Sequence, residues 1–506
     1  MFQIISAQDA VAMIPDGACI GINAFLALSN PESLHDAITE SFRETGHPSQ
    51  LRLYCAAGFG CWDKYRYADP YVAAGAVAEV VAGHYSSMPE VVRMAAENKI
   101  EAYNLPLGLL SHAIRAAASG KDGLLSEVGK NIFADPRVGS CAMNARSKQQ
   151  LVEIVTVAGK EYLYFKTPKF DFAFIKGTTV DPNGNVTFEN EYLTVDALAL
   201  AQATKANGGK VFIEVENVTH NFARPRSVIV PGILVDAIIV NKNRRDKLEL
   251  GGALSGDIHV SASHMDYYMG NLTVSKKVKS DSRDQSDEII GHRAAKELKP
   301  EQVINIGIGI PEKVGKYASK LGVLKQITAT VEAGGIGGLP APGLSFGATI
   351  GADMISDMAV QFDFYDGGGL DICFMGGFEV DKHGNVNAHQ INGRYAGIGG
   401  FANITFYTKT VVFCMNFTTK GIDVREENGQ VKIYNEGAVT KFKGEISAIS
   451  FAAKNALEHG QRVLYVTERC VFELTTDGLA LAEVYPGVDM QKDILDLLDF
   501  DVIVKA

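Results

Sequence analysis

Apolar residues gather in short runs along the chain. Each run gives way to a glycine-rich or polar loop and then to a helical pattern. Ala18-Cys19-Ile20-Gly21-Ile22 and Leu51-Arg52-Leu53-Tyr54-Cys55-Ala56 read as buried strands. Asn30-Pro31-Glu32 opens a helix after the first, and Ala57-Gly58-Phe59-Gly60 ends the second. Phe172-Ala173-Phe174-Ile175 and Val211-Phe212-Ile213-Glu214-Val215 repeat the strand signal, with a helical stretch over 195–203 between them. Strand, loop and helix in alternation predict an α/β fold with parallel strands. Near the start, Ser6-x-x-Asp9 before Ala10-Val11-Ala12-Met13 predicts a capped helix.

The pattern then restarts. Val303-Ile304-Asn305-Ile306-Gly307-Ile308-Gly309-Ile310-Pro311-Glu312 restates the strand, loop and Pro-Glu helix start of residues 18–32. Asp371-Ile372-Cys373-Phe374-Met375-Gly376-Gly377, followed by Asp381-Lys382-His383-Gly384-Asn385-Val386, restates residues 171–177 and the Asp181-Pro182-Asn183-Gly184-Asn185-Val186 turn. Two landmarks in the same order predict a duplicated, open α/β domain with a site at the cleft between the copies. The landmarks stand further apart in the first copy, which is expected to carry insertions. Between the copies, over 275–287, aliphatic residues nearly vanish in favour of Ser, Lys, Asp and Arg. The expected division is 1–274, a linker over 275–290, and 291–506, against the competing reading of a long charged surface loop.

One carboxylate stands out. Ile327, Ala329 and Val331 alternate with polar residues as at the end of a strand, and Glu332-Ala333-Gly334-Gly335-Ile336-Gly337-Gly338 follows. A glutamate at a strand end, in a loop of glycines, sits where backbone can approach a ligand closely. Taken alone, it also reads as a solvated residue beside a structural turn. Gly307-Ile308-Gly309-Ile310-Pro311 can bring amides to an anion at a helix N-terminus, but Glu312 stands where a dinucleotide fingerprint needs its third glycine. Phe362-Asp363-Phe364-Tyr365-Asp366-Gly367-Gly368-Gly369 reads as a tight turn shaping a pocket wall in preference to a metal-binding carboxylate pair. His383 and His389 read as surface or hydrogen-bonding residues. Gly397-Ile398-Gly399-Gly400-Phe401 is a second glycine loop, suited to an oxyanion or to close helix–strand packing.

Composition narrows the class. The chain has 506 residues, long enough for two or more domains, and a net charge of −11 that disfavours nucleic acid or an anionic membrane as partner. Seven cysteines without a C-x-x-C pair suggest reduced thiols and a cytoplasmic protein. The start, Met1-Phe2-Gln3-Ile4-Ile5-Ser6, lacks a signal-peptide pattern, and no apolar run approaches the length of a membrane span.

Glu332-Ala333-Gly334, Phe346-Gly347 and Phe362–Asp371 together resemble the family I coenzyme A transferases, with the closer likeness to the propionate/acetate CoA-transferase branch. Gly83-His84, Ala102-Tyr103-Asn104-Leu105-Pro106, Asp135-Pro136-Arg137, Val230-Pro231-Gly232, Thr467-Glu468-Arg469 and Pro486-Gly487-Val488-Asp489 extend the likeness over nearly the whole chain. The resemblance implies transfer of CoA between a short-chain acyl-CoA and a carboxylate through a glutamyl-CoA thioester on Glu332. It also implies a homo-oligomer, dimer or tetramer, with CoA as co-substrate and no permanently bound cofactor or metal. By the same carry-over, Gly400 and Phe401 supply oxyanion amides, and Gly307, Gly309 and Gly399 lie along the coenzyme. Asn23, Ala24, Phe25 and Leu107 are assigned to the acid. Relatives have a Gln where Leu107 stands, and Gly-Gly-Phe where Asn23-Ala24-Phe25 stands, so apolar monocarboxylic acids are expected. A glutamate with an ordinary pKa of about 4.3 is expected to be ionised at neutral pH. The competing readings are an acyl-CoA hydrolase using the same Glu and a non-enzymatic CoA-binding regulator.

Overall fold

A computed structural model describes residues 2–62, 65–244, 282–341 and 345–504. Two large sheets organise it. The first contains β1 (Gln3–Ile4), β2 (Cys19–Ile22), β3 (Leu51–Cys55), β4 (Val77–Ala82), β5 (Glu101–Asn104), β6 (Phe172–Lys176), β7 (Lys210–Val215) and β8 (Ala237–Val240). Its order is β1-β8-β7-β6-β2-β3-β4-β5, and every pairing is parallel.

The second sheet contains β9 (Val303–Ile306), β10 (Thr328–Thr330), β11 (Gly335–Ile336), β12 (Met354–Ile355), β13 (Ile372–Met375) and β14 (Thr410–Cys414). It continues through β15 (Arg462–Val466), β16 (Cys470–Thr475), β17 (Gly478–Val484) and β18 (Ile503–Val504). The order is β12-β11-β10-β9-β13-β14-β15-β16-β17-β18. From β10 to β15 it is parallel.

The duplication is visible bond by bond. The parallel core β8-β7-β6-β2-β3 of the first sheet has the same order of corresponding strands as β15-β14-β13-β9-β10 of the second. Asp171 accepts from the Cys19 N–H at 2.8 Å, and Asp371 accepts from the Val303 N–H at 2.8 Å. The Asn23 and Gly307 amides donate to the Phe174 and Phe374 carbonyls at 2.9 and 2.8 Å. In the paired turns, Asp181 and Asp381 each accept from the backbone two and four residues on. Gly184 and Gly384 take φ of 80° and 87°, a conformation that favours glycine in both.

The first copy has grown between its landmarks. Strands β4 and β5 lie there, as does a three-stranded antiparallel sheet of Gly123–Ser126, Val152–Val157 and Lys160–Lys166. Ser6 caps the first helix, Ala7–Val11, by accepting from the Asp9 N–H at 3.0 Å. Apolar residues of both halves merge into one large core cluster, while each sheet also covers a separate core on its outer face.

Two local expectations are corrected. Residues 275–281 of the expected linker lie outside the described residues, but Ser282–Ala295 is a helix. Ile289, Ile290 and Ala294 bury one side of it, and Arg293 pairs with Glu297 and Glu483 at 2.8 and 2.7 Å. The stretch Phe362–Gly369, expected as a tight turn, begins inside a helix, Met358–Asp366, and only its three glycines lie beyond the helix end. Asp363 and Asp366 point to the other half. Arg115 meets Asp363 with two nitrogens at 2.6 and 2.7 Å, while His112 lies 3.1 Å from Asp363 and 3.7 Å from Asp366. The pair belongs to an ionic contact between helices of the two halves, and no metal-holding cluster occurs among the described residues.

Candidate active site

Glu332 stands at the tip of a hairpin between β10 and β11. The Gly334 N–H donates to Val331 at 3.0 Å, and Val331 donates to Gly335 at 2.8 Å. Gly334 has φ of 120°, and a Cβ there would lie 2.1 Å from the Ser356 carbonyl oxygen. Only glycine allows this tip to close against residue 356.

Beneath the glutamate, polar groups replace the solvent face expected from the alternation. Thr330 is buried, with its hydroxyl donating to the Ile304 carbonyl at 2.8 Å and accepting from Tyr365 at 2.9 Å. Asn305 donates to the Thr330 carbonyl at 3.1 Å and to the Tyr365 oxygen at 3.3 Å. Asn305 also hydrogen-bonds Glu332, which favours the carboxylate. Burial outweighs that bond and pushes the Glu332 pKa up to about 7. The expectation of full ionisation at neutral pH is therefore corrected. Sequence identifies the residue type but not how much water surrounds it.

A cavity of about 480 Å³ opens beside the carboxylate. Its wall comes from loops that follow the carboxyl ends of parallel strands: Gly307 after β9, Glu332 after β10, Gly376 after β13, and His84 and Ser86 after β4. Strand β9 has β10 on one side and β13 on the other, the arrangement at which open α/β sheets place ligands. Most of the wall is apolar, including Leu26, Ile308, Ile310, Phe346, Met375 and Phe378.

The Gly397–Gly400 stretch faces Glu332 and is tied to the first half. The Gly399 N–H donates to Gly83 at 2.8 Å, and the Gly399 carbonyl accepts from Leu107 at 2.9 Å. Asn104 accepts from the Ile398 N–H at 3.0 Å. Tyr85 and Ser86 both donate to the Ala396 carbonyl, at 2.8 and 2.9 Å. A methyl group on Gly400 would stand 3.4 Å from Glu332 Cγ and 3.1 Å from Ile404 Cδ1, so the lack of a side chain lets this loop approach. Gly400 precedes the helix Phe401–Phe406. The Phe401 amide donates to the Ile398 carbonyl at 3.2 Å.

The other expected positions divide. Gly307, Gly399, Gly400 and Phe401 line the cavity with Glu332, and Gly309 lies in the loop whose Gly307, Ile308 and Ile310 do so. Asn23, Ala24 and Phe25 do not line it. Asn23 is buried between Thr194 and Asp196, whose backbone groups it binds at 3.1 and 2.9 Å, and Phe25 packs on Gly347. The next residue, Leu26, reaches the cavity instead. Phe59 is likewise a core residue, outside the apolar wall. Leu107 begins the helix Leu107–Ala118 with a side chain buried in the core, against Gly83, so it is not in the cavity wall. His389 is buried, stacked on Phe133, and bonded through Nδ1 to Ser450 at 2.7 Å. His383 is exposed.

Three residues of the site were missed in the sequence: Asn305, His84 and Lys441. A lone amide inside the apolar run Val-Ile-Asn-Ile was a usable signal for the first. His84 lay in a recognised motif without a role. Its pKa is lowered by burial to about 4, so it is neutral at pH 7, and its Nε2 lies 3.1 Å from Ser86 Oγ.

A buried carboxylate, glycine loops from both halves and a mostly apolar cavity agree with the family assignment. Residues 4–241 and 288–492 match the model of the family described as coenzyme A transferase, and the chain belongs to that family and is a CoA-transferase. It is 38% identical over 504 residues to the acetate CoA-transferase YdiF of Escherichia coli K12, covering 99% of this chain and 92% of that one. It is 36% identical over 512 residues to the caffeate CoA-transferase of Acetobacterium woodii, covering 100% and 96%. The crystal structure of acyl-CoA transferase YdiF from Escherichia coli O157:H7, in a thioester complex with CoA, matches with a TM-score of 0.88. That match is 36% identical and covers 100% of this chain and 94% of the other.

Proposed function

We propose that the chain moves CoA between an acyl-CoA and a carboxylic acid by a two-stage exchange on Glu332. The observation that carries this reading is a single carboxylate in a mostly apolar cavity, with the Gly399–Gly400 loop beside it. In the first stage a Glu332 oxygen attacks the thioester carbonyl carbon. The C–S bond breaks, CoA leaves as thiolate, and a mixed anhydride remains. The thiolate then attacks the Glu332 carbonyl carbon, giving a glutamyl-CoA thioester and freeing the first acid as carboxylate. A second carboxylate reverses both steps and regenerates Glu332.

Each step passes through a tetrahedral oxyanion, for which the Gly400 amide is the proposed donor. One such donor is typically worth about 3 kcal/mol in the transition state. Both acyl intermediates are open to hydrolysis, and the apolar wall supports their survival by limiting water. The same wall favours short, plain monocarboxylic acids over hydroxy or keto acids, with no contribution from Leu107. The thioester complex described for the Escherichia coli relative supports the same intermediate here.

The test is incubation with an acyl-CoA, with and without acetate. A transferase forms acetyl-CoA and consumes acyl-CoA only when the acid is present. Consumption without acid points to the hydrolase, and no consumption in either case points to a regulator. Borohydride or hydroxylamine trapping should then mark Glu332 in peptide mass mapping. An adduct on another residue refutes the assignment.

A further inference from the structure

Lys441 lines the same cavity, beside Gly377 and Phe378. No other Lys or Arg stands in that wall among the described residues. Its ammonium donates to the Gly377 carbonyl oxygen at 3.0 Å. Among the described residues no carboxylate lies within ion-pair reach of it. The acidic groups that face it are Glu468 and Asp287. Glu468 is engaged with Arg469 at 2.6 Å and with the Phe417 N–H at 2.8 Å. Burial pushes the Lys441 pKa down to about 8 in spite of those two acids. An ammonium has three N–H donors, and a half-buried cation is stabilised by an anion or further acceptors that meet it.

Glu332 follows β10, and Gly377, which holds Lys441, follows β13, with β9 between those two strands, so two strand spacings, roughly 10 Å, separate the two positions. Gly307 and Ile308, in the loop after β9, line the wall between those strand ends. On the reading proposed above, the coenzyme has the matching layout. Its thioester is at one end, its phosphates are at the other, and a neutral pantetheine arm joins them. The acid has no such reach if it is short. We infer that Lys441 receives a phosphate oxygen of the coenzyme and so fixes the register in which the thioester meets Glu332.

The experiment compares acyl-CoA with the same acyl group on pantetheine, which lacks the phosphates. Lys441→Met should lower kcat/KM for acyl-CoA by about 30- to 100-fold, the usual effect of losing a charged hydrogen bond. It should leave acyl-pantetheine and the KM of the acid within about threefold. Lys441→Arg should restore most of the activity toward acyl-CoA, and the fall of kcat/KM above pH 8 should vanish in it, because arginine does not titrate there. Equal losses on the two thioesters, or a loss confined to the acid, overturn the inference. Calorimetric binding of free CoA and of pantetheine to wild type and Lys441→Met reads the same preference without turnover. A failed transferase reading and a failed phosphate contact are thereby told apart. If the Met variant melts early, Lys441→Gln replaces it against the Arg variant, with the same outcomes.

Discussion

Replacing Glu332 by Gln should make the protein more heat-stable while abolishing its chemistry, and the stabilisation should depend on pH. The Glu332 pKa is about 7 in the folded state against an ordinary value of 4.5. In the unfolded chain the side chain loses its proton near pH 4.5, whereas in the folded protein it keeps it until about 7. Stability from this group is therefore fully present below pH 4.5 and is lost as pH rises to about 7. At ~1.36 kcal/mol per pH unit the loss is on the order of 3 kcal/mol. Water reaching the carboxylate through the cavity reduces this to about 2 kcal/mol. Gln keeps the shape and does not titrate. With an unfolding entropy of ~2.1 cal/mol/K per residue over a large chain, the gap corresponds to roughly 2 °C. The assay is a melting series from pH 4.5 to 8.5 on both proteins, freshly purified so that deamidation does not restore Glu. The Tm difference should widen with pH up to about 7 and then level. A difference that is flat across the series, or that narrows with pH, refutes the raised pKa. Activity retained by the Gln variant refutes the nucleophile.

Other consequences are as direct. In wild type, kcat/KM for acyl-CoA should rise about tenfold per pH unit below 7 and level between 7 and 8, since the attacking form is the carboxylate; a limb centred near 4.5 contradicts the burial. Gly334→Ala should cost more than about 2 kcal/mol in stability and most of the turnover, because its φ and the Ser356 carbonyl both reject a Cβ; melting and kcat check this. Leu107→Gln should leave the butyrate-to-acetoacetate ratio of kcat/KM unchanged but lower Tm, because it buries an amide at roughly 1–3 kcal/mol. Arg115→Ala should cost less than about 1 kcal/mol, as its pair with Asp363 is half exposed; a larger drop in denaturant midpoint would show that the contact holds the halves together.

The repeated strand–loop–helix pattern was legible because parallel strands buried on both faces write continuous apolar runs. The same is true of Glu332, which the hairpin glycines announce. What lay hidden has a common cause in long-range contact. The helix Met358–Asp366 was obscured by the glycines that end it, and its acids find their partners on Arg115 and His112, far away in the chain. Leu107 follows a proline motif at the site, yet its own side chain turns into the core while only its N–H serves Gly399. Lys441 lies in a polar stretch that nothing distinguishes until folding brings it beside Gly377. The raised pKa of Glu332 depends on how the cavity closes, and no local pattern encodes that.

The bonds that tie residues 396–399 to the first half also constrain motion. Five of them, from Gly399, Leu107, Ile398, Tyr85 and Ser86, bridge the seam at the site. At about 1 kcal/mol each, these bonds add ~5 kcal/mol to the cost of prising the halves apart, beyond the apolar core that the halves share. A jaw-like swing of the halves would break all five bonds. It would also carry the Gly400 amide away from Glu332. These bonds therefore hold the two halves in one register around Glu332.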